Sequence, residues 1–283
     1  MCSYTPQGRH RRRAPAAGPC ADTAETTVST VSTVSTVTRR EMPWSDRNVC
    51  FDVRSIHAPV LDVLLLDSRD SFTFNLAQAF LELGCSVDVV DSGLVTAATI
   101  LAAREQGLGP RIVVLGPGPR SPAELPSLVS LVRALYGFVP LFGVCLGLQV
   151  LVRARGGVVA RAQAAVHGKR DMVRHDESGC FAALPTPLWV MRYHSLVATT
   201  VPSSLVVTAV DALGQVMAVR DVQARVEAVQ FHPESIGTAG GLDLLRNVLL
   251  GVGVDAAAVP VRPGSVPSSS SQGPGFDRCG RHV

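Results

Sequence analysis

Two short segments hold residue types and spacings that could do chemistry together. The first is Gly143-Val144-Cys145-Leu146-Gly147, a thiol set between small residues at the end of an apolar run. Gly-x-nucleophile-x-Gly is the thiol form of a nucleophile elbow, in which glycines permit a strained strand-to-helix turn that thrusts the middle side chain into a site. The N-terminus of the following helix would favour thiolate over thiol through its dipole and free N–H groups. Taken alone, the pattern fits a buried cysteine between close-packed glycines equally well. The second segment, Gln230-Phe231-His232-Pro233-Glu234-Ser235, shifts the balance. A thiol nucleophile needs a base to take and return a proton, and the base needs a carboxylate to fix its tautomer and stabilise its cation. His232 and Glu234 fit those roles: two residues apart at the end of an extended segment stiffened by Pro233, they can face the same way.

Positioning two such segments takes a scaffold, and residues 61–254 supply its pattern. Strands are expected at Asp62 to Leu66, Ser86 to Val90, Arg111 to Leu115 and Val139 to Val144, separated by helical segments such as Thr73 to Leu83 and Ala123 to Leu135. Near-continuous apolar strands alternating with helices predict an α/β fold with a mostly parallel open sheet covered on both faces. Further strands are expected at Leu188 to Met191, Leu205 to Val210, Gln215 to Val219 and Val226 to Gln230, then a closing helix from Gly240 to Leu250. In such folds ligands sit beyond the carboxyl ends of the strands, where Cys145 and His232 would emerge.

Composition narrows the class. With 283 residues, 47% hydrophobic and 17% charged, the chain can bury a large core. The net charge of +3 comes wholly from residues 1–60, which carry eight Arg against five acidic residues, so the body is near neutral and nucleic acid is not an expected partner. Seven scattered cysteines with no C-x-x-C pair argue against a disulfide framework or structural zinc, and a cytoplasmic setting is expected. His167, Lys169, His175 and His194 match no closed ligand spacing, and no metal is expected. Ala134 to Val152 is uncharged and long enough to span a bilayer, but Pro140 and three glycines divide it into a strand, a turn and a helix, so no membrane partner is expected. Residues 1–60, with the tandem Val-Ser-Thr of Val28 to Thr36, and the Pro/Ser/Gly-rich residues 255–283 have no periodicity that could bury an apolar face, and both are expected to be disordered.

The pair GVCLGLQ (Gly143 to Gln149) and FHPES (Phe231 to Ser235) resembles class I, triad-type glutamine amidotransferases. LLLDSRDSFTFNLAQAF (Leu64 to Phe80), VVLGPGPRSP (Val113 to Pro122), the stretch from His167 to Ala198 that holds RYHSL, and VEAVQFHPESI (Val226 to Ile236) are similar to glutaminase subunits of anthranilate and aminodeoxychorismate synthases. The resemblance covers almost all of residues 62–250. It implies L-glutamine as substrate and the triad Cys145, His232 and Glu234. It also implies a partner: a chorismate-binding synthase subunit that consumes the ammonia and holds the only Mg2+, with no cofactor on this chain.

Under this reading the N–H of Gly118, in the turn Pro117-Gly118-Pro119, and the N–H of Leu146 receive the oxyanion, with Pro119 and Arg120 as further substrate-binding candidates beside them. Gln149, one helical turn after Cys145, holds the amino-acid end of glutamine, and the resemblance adds Ser195 and Leu196 as contacts to it. The segment around His167 and Lys169 would face the partner. Two residues depart from the family pattern: Leu148, where His is common, and Arg120, where a small residue is common. Several readings remain open on the sequence: an anthranilate, folate-pathway or secondary-metabolite acceptor, a docking subunit that has lost hydrolysis, or a thiol peptidase on the same scaffold. Limited proteolysis of the full chain is expected to leave a stable fragment close to residues 60–254, read by intact mass; progressive loss of that fragment would overturn the domain boundaries.

Overall fold

In the computed structural model, residues 61–256 are described; the arm expected at 1–60 and the tail from 257 onward lie outside them. Among the described residues nine strands form one mixed sheet. In chain order the elements are β1 Val63–Asp67, α1 Thr73–Glu82, β2 Val87–Asp91, α2 Ala97–Glu105, β3 Ile112–Leu115, α3 Pro126–Leu135, β4 Leu141–Val144, α4 Leu146–Ala154, β5 Val158–His175, β6 Leu188–Thr200, β7 Val206–Val210, β8 Val216–Asp221, β9 Val226–Val229 and α5 Gly241–Gly251. Spatially the strands run β2-β1-β3-β4-β9-β8-β7-β5-β6. The first five are mutually parallel, and β8, β7, β5 and β6 extend the sheet by antiparallel pairing.

Alternation along the parallel strands feeds two separate cores. Val63, Leu65, Ile112, Val114, Phe142 and Val144 point to one face and pack with Leu76 and Phe80 of α1 and Leu244, Leu245 and Val248 of α5. Leu64, Leu66, Val113, Leu115 and Leu141 point to the other, against Ile100 of α2, Leu128 and Val132 of α3, and Leu148 and Leu151 of α4. Strands buried on both faces must be apolar at every position, which is why they read as continuous runs.

Three expectations need correction. The helix expected from Ala123 begins instead at Pro126, after a separate 3-10 turn at Pro122–Glu124 closed by Ser121 and Glu124. Proline has no N–H to donate and starts a helix better than it continues one. The strand expected at Leu188 to Met191 runs on to Thr200, and its partner β5, 18 residues long, carried no strand signal at all. Its sequence VVARAQAAVHGKRDMVRH interleaves small and basic residues, because many of its side chains face solvent. Pairing with β6 holds it, with register shifts between Arg161 and Val166 and between His167 and Lys169. His167 and Lys169 are exposed on this arm.

Where β3, β4 and α4 meet, the backbones approach so closely that side chains are excluded. A Cβ on Gly147 would strike the carbonyl oxygen of Leu115, and one on Gly143 would meet the Gly147 carbonyl carbon at 2.7 Å. Gly147→Ala is therefore expected to destabilise the domain by roughly 1–3 kcal/mol through overpacking, measured by urea denaturation. A variant as stable as the parent would show that this approach is not required.

Candidate active site

The carboxyl end of β4 delivers Cys145 with φ 56° and ψ −102°, on the positive-φ side that non-glycine residues avoid. Its N–H donates to the carbonyl of Val229 at 2.8 Å, so the end of β9 pins the turn, and α4 starts at the next residue. Cys145 is buried, and the first N–H groups of α4 lie beside it without intrahelical acceptors.

The candidate base, His232, arrives from the turn after β9. The strand ends at Val229, and Gln230 to Glu234 lie beyond it, so His232 and Glu234 share a turn and not the extended segment expected. The bend is fixed by Ser235 N–H donating to the His232 carbonyl at 3.3 Å and by the Thr238 hydroxyl donating to the same oxygen at 2.6 Å. His232 N–H donates to the Met191 carbonyl of β6 at 3.0 Å. The Nδ1 of His232 meets Glu234 Oε1 at 2.6 Å, with the Glu234 side chain fully buried. That contact assigns the proton to Nδ1 and leaves Nε2, buried and without a hydrogen-bond partner, as the atom free to exchange a proton. Phe72 and Tyr193 pack against the ring at centroid distances of 5.4 and 5.1 Å in edge-on geometry, limiting its swing. Burial alone would lower the pKa of His232, but the Cys145 thiol and the Glu234 carboxylate reverse this and push it up to about 10. The imidazolium is thus the favoured form opposite the cysteine.

A second histidine behaves oppositely. His194 of β6 is buried; its Nε2 accepts from Arg192 Nε at 3.0 Å and its Nδ1 donates to the Leu196 carbonyl at 3.1 Å. Burial, and next the Arg192 charge, lower its pKa to about 4, so it is neutral with a fixed tautomer. Arg192 is itself 2% exposed and is satisfied by Asp171, Asp211 and Gln215. From Leu196 the contacts run to Cys145: Gln149 Nε2 donates to the Leu196 carbonyl at 3.2 Å and to Gln230 Oε1 at 3.3 Å, and Gln230 Nε2 donates to Cys145 Sγ at 3.7 Å.

The structure therefore brings together Cys145, His232, Glu234, Gln149 and Leu196. Gly118 joins them: a Cβ there would collide with the Leu146 side chain and meet Ser68 Cβ at 2.9 Å. Ser195 is exposed on β6 beside Leu196, and Pro119 and Arg120 are exposed on the far side of the turn. Arg120 is near enough to help lower the pKa values of Asp91 and Glu124, whose main causes are the Gly93 N–H and the Ser121 hydroxyl respectively. Leu148 is wholly buried in the core and points away from the chemistry. Sequence reasoning assigned no role to Gln230, Arg192, Phe72 or Tyr193. Gln230 and the Arg192-Tyr193 pair lie inside the QFHPES and RYHSL motifs, yet their partners are distant in sequence: Gln149 and Cys145 for Gln230, and Asp171, Asp211 and Gln215 for Arg192.

A concavity of about 350 Å3 lined by Ile112, Leu141, Arg220, Arg225 and Val226 lies at the amino ends of these strands, opposite Cys145. Among the described residues no group of three or more His, Cys, Asp or Glu could hold a metal ion, and no helix is long and apolar enough to cross a membrane.

The family profile described as glutamine amidotransferase class-I matches residues 64–252. The chain is 44% identical over 189 residues to anthranilate synthase component 2 of Vibrio parahaemolyticus, covering 66% of this chain and 94% of that protein. It is 40% identical over 189 residues to the aminodeoxychorismate/anthranilate synthase component 2 of Bacillus subtilis, covering 66% and 95%. It is 42% identical over 189 residues to aminodeoxychorismate synthase component 2 of Escherichia coli, covering 66% and 98%. Among solved structures, a Thermoplasma acidophilum protein described as a candidate GMP synthase component superposes with a TM-score of 0.59 at 23% identity, over 69% of this chain and 96% of that one, a likeness of fold alone.

The neutral burial of His194 has a stability consequence. Its folded pKa of about 4 lies below its ordinary 6.5, so the unfolded chain binds the extra proton first, and the stabilising contribution present above pH 6.5 is lost as pH falls towards 4. Between pH 7 and 5 this amounts to on the order of 1–2 kcal/mol. The thermal midpoint of the parent is expected to fall over that range and that of His194→Gln to fall less; parallel curves would sink the assignment.

Proposed function

This chain belongs to the class-I glutamine amidotransferase family, and we propose that it is the glutaminase subunit of a chorismate-utilising synthase, hydrolysing L-glutamine at Cys145 and passing ammonia to its partner. The observation that carries the reading is the buried Nδ1 to Oε1 contact of His232 with Glu234 at 2.6 Å, which leaves Nε2 free on the side of an elbow cysteine. The component 2 names of its relatives support the synthase and the acceptor class.

In this mechanism the Cys145 thiolate attacks the carboxamide carbon of glutamine, and the carbonyl π pair moves onto oxygen. The N–H of Leu146, at the start of α4, and the Gly118 turn receive that oxyanion. Collapse of the tetrahedral intermediate breaks the C–N bond while His232 Nε2–H protonates the departing nitrogen, so ammonia leaves and a γ-glutamyl thioester remains. His232, now neutral, takes a proton from water; the hydroxide adds to the thioester, and collapse releases glutamate and regenerates the thiolate-imidazolium pair. Gln149, Ser195 and Leu196 hold the amino-acid end of the substrate. Ammonia in water near neutral pH is mostly ammonium and unreactive, which is why its formation would be tied to a docked partner.

Chorismate amination by this chain with its cognate synthase, supplied with either glutamine or ammonium salt, tests the reading. Cys145→Ala is expected to lower the glutamine-dependent rate by at least about 1,000-fold, the scale of removing a covalent nucleophile, and to leave the ammonium-dependent rate intact. Equal glutamine-dependent rates in parent and variant would point instead to a docking subunit without hydrolysis, and the aromatic product formed would identify the pathway.

A further inference from the structure

Gln230 is wholly buried, one residue past the end of β9, and no step above uses it. Its backbone N–H donates to the Met217 carbonyl at 2.8 Å, which fixes where the side chain starts. Its side-chain ends are assigned by what they meet. The Leu196 carbonyl can only accept, so Gln149 must turn its NH2 towards it; that NH2 also reaches Gln230 Oε1 at 3.3 Å. Gln230 therefore has its carbonyl committed to Gln149 and its NH2 aimed at Cys145 Sγ, 3.7 Å away. Carboxamides are ambiguous in orientation by themselves, and here a chain of obligate acceptors and donors removes the ambiguity.

We propose that Gln230 is a positioning residue for the nucleophile, a buried side-chain donor that holds Cys145 Sγ in place and favours its thiolate. It reaches the sulfur from the turn after β9, and it carries no charge and no titratable proton. Three titratable groups face this cluster: His232 and Glu234 from the turn after β9, and His194 from β6, backed by Arg192, Asp171 and Asp211. An amide donor adds stabilisation of the anion without a further counter-charge that would compete with His232 for it. A hydrogen bond to a charged acceptor in a buried site is stronger than one between neutral groups, and its loss leaves the acceptor unsatisfied. The inference deepens the glutaminase reading, since it concerns the same thiol, but its test needs no glutamine.

The experiment is the pH dependence of Cys145 alkylation by iodoacetamide on the full chain, followed at the Cys145 peptide by mass spectrometry. Gln230→Met and Gln230→Leu remove the donor without adding a charge or another donor. Both are expected to move the alkylation midpoint up by about one pH unit, equivalent to a roughly tenfold loss of rate on the acid side of the midpoint. Wild-type midpoints in variants that melt like the parent would overturn the proposal. Should both variants fail to fold, the wild type still decides: the side-chain NH2 resonances of Gln230 are expected to shift with the Cys145 midpoint, and resonances that stay fixed through it overturn the proposal. Failure of glutamine turnover with a shifted alkylation profile would count against the glutaminase reading alone.

Discussion

A side chain on Gly143 would run into the backbone of Gly147, and one on Gly147 would run into Leu115, so β3, β4 and α4 stand closer together than any residue larger than glycine permits. The reversal at Cys145 follows from that approach. A chain that must leave β4 and enter a helix lying against the neighbouring strand has one residue in which to turn, and that residue takes positive φ. The cost of an unfavourable backbone, of order 1–3 kcal/mol, is borne by the two cores that clamp the sheet from either side. What results is a sulfur with little freedom, at the start of a helix and at the carboxyl edge of the sheet.

Around that sulfur two histidines of the same intrinsic basicity are driven apart. His232 gains a carboxylate and a thiol and is held as a cation; His194 is buried against a guanidinium and stays neutral. Divergent environments for like groups are how one fold separates proton transfer from structural support. The neutral histidine belongs to a polar seam joining Arg192, Leu196, Gln149 and Gln230, and a buried guanidinium at its root is tolerable only because three side chains besides His194 satisfy it. Removing one partner would leave a charge stranded in the interior, so the seam behaves as a unit.

How much of this was readable follows from where the information lies. The parallel strands β1, β3 and β4 are apolar at every position because both faces are covered, and their boundaries came within two residues of those observed. The segments that hold Cys145 and His232 are local motifs with local steric causes, and they were equally plain. The arm was not: β5 is stabilised by pairing with β6 and by little burial of its own, so neither periodicity nor composition marks it. The role of Gln230 was hidden for the same reason. Its partners come from two other places in the chain, Cys145 and Gln149 at the start of α4 and, through Gln149, Leu196 of β6, and only the closed sheet puts them in one line. Helix α3 was displaced by a single proline, a rule that the sequence states and the apolar pattern across Ala123 to Leu135 obscured.

Strand β4 lies between β3 and β9, and β9 pairs with it across some 85 residues of intervening chain, the separation of Leu141 from its partner Val226. During synthesis β1 to β4 and the cysteine therefore emerge from the ribosome well before the strand that completes their sheet. Until β9 arrives, the Cys145 N–H lacks its Val229 acceptor and the sulfur lacks both His232 and Gln230. Long-range closure of this kind is slow because loop entropy is lost before any contact repays it. The same delay has a protective side: in a nascent or truncated chain the Cys145 sulfur has none of these partners, and they come together around it only in molecules whose translation and folding are both finished.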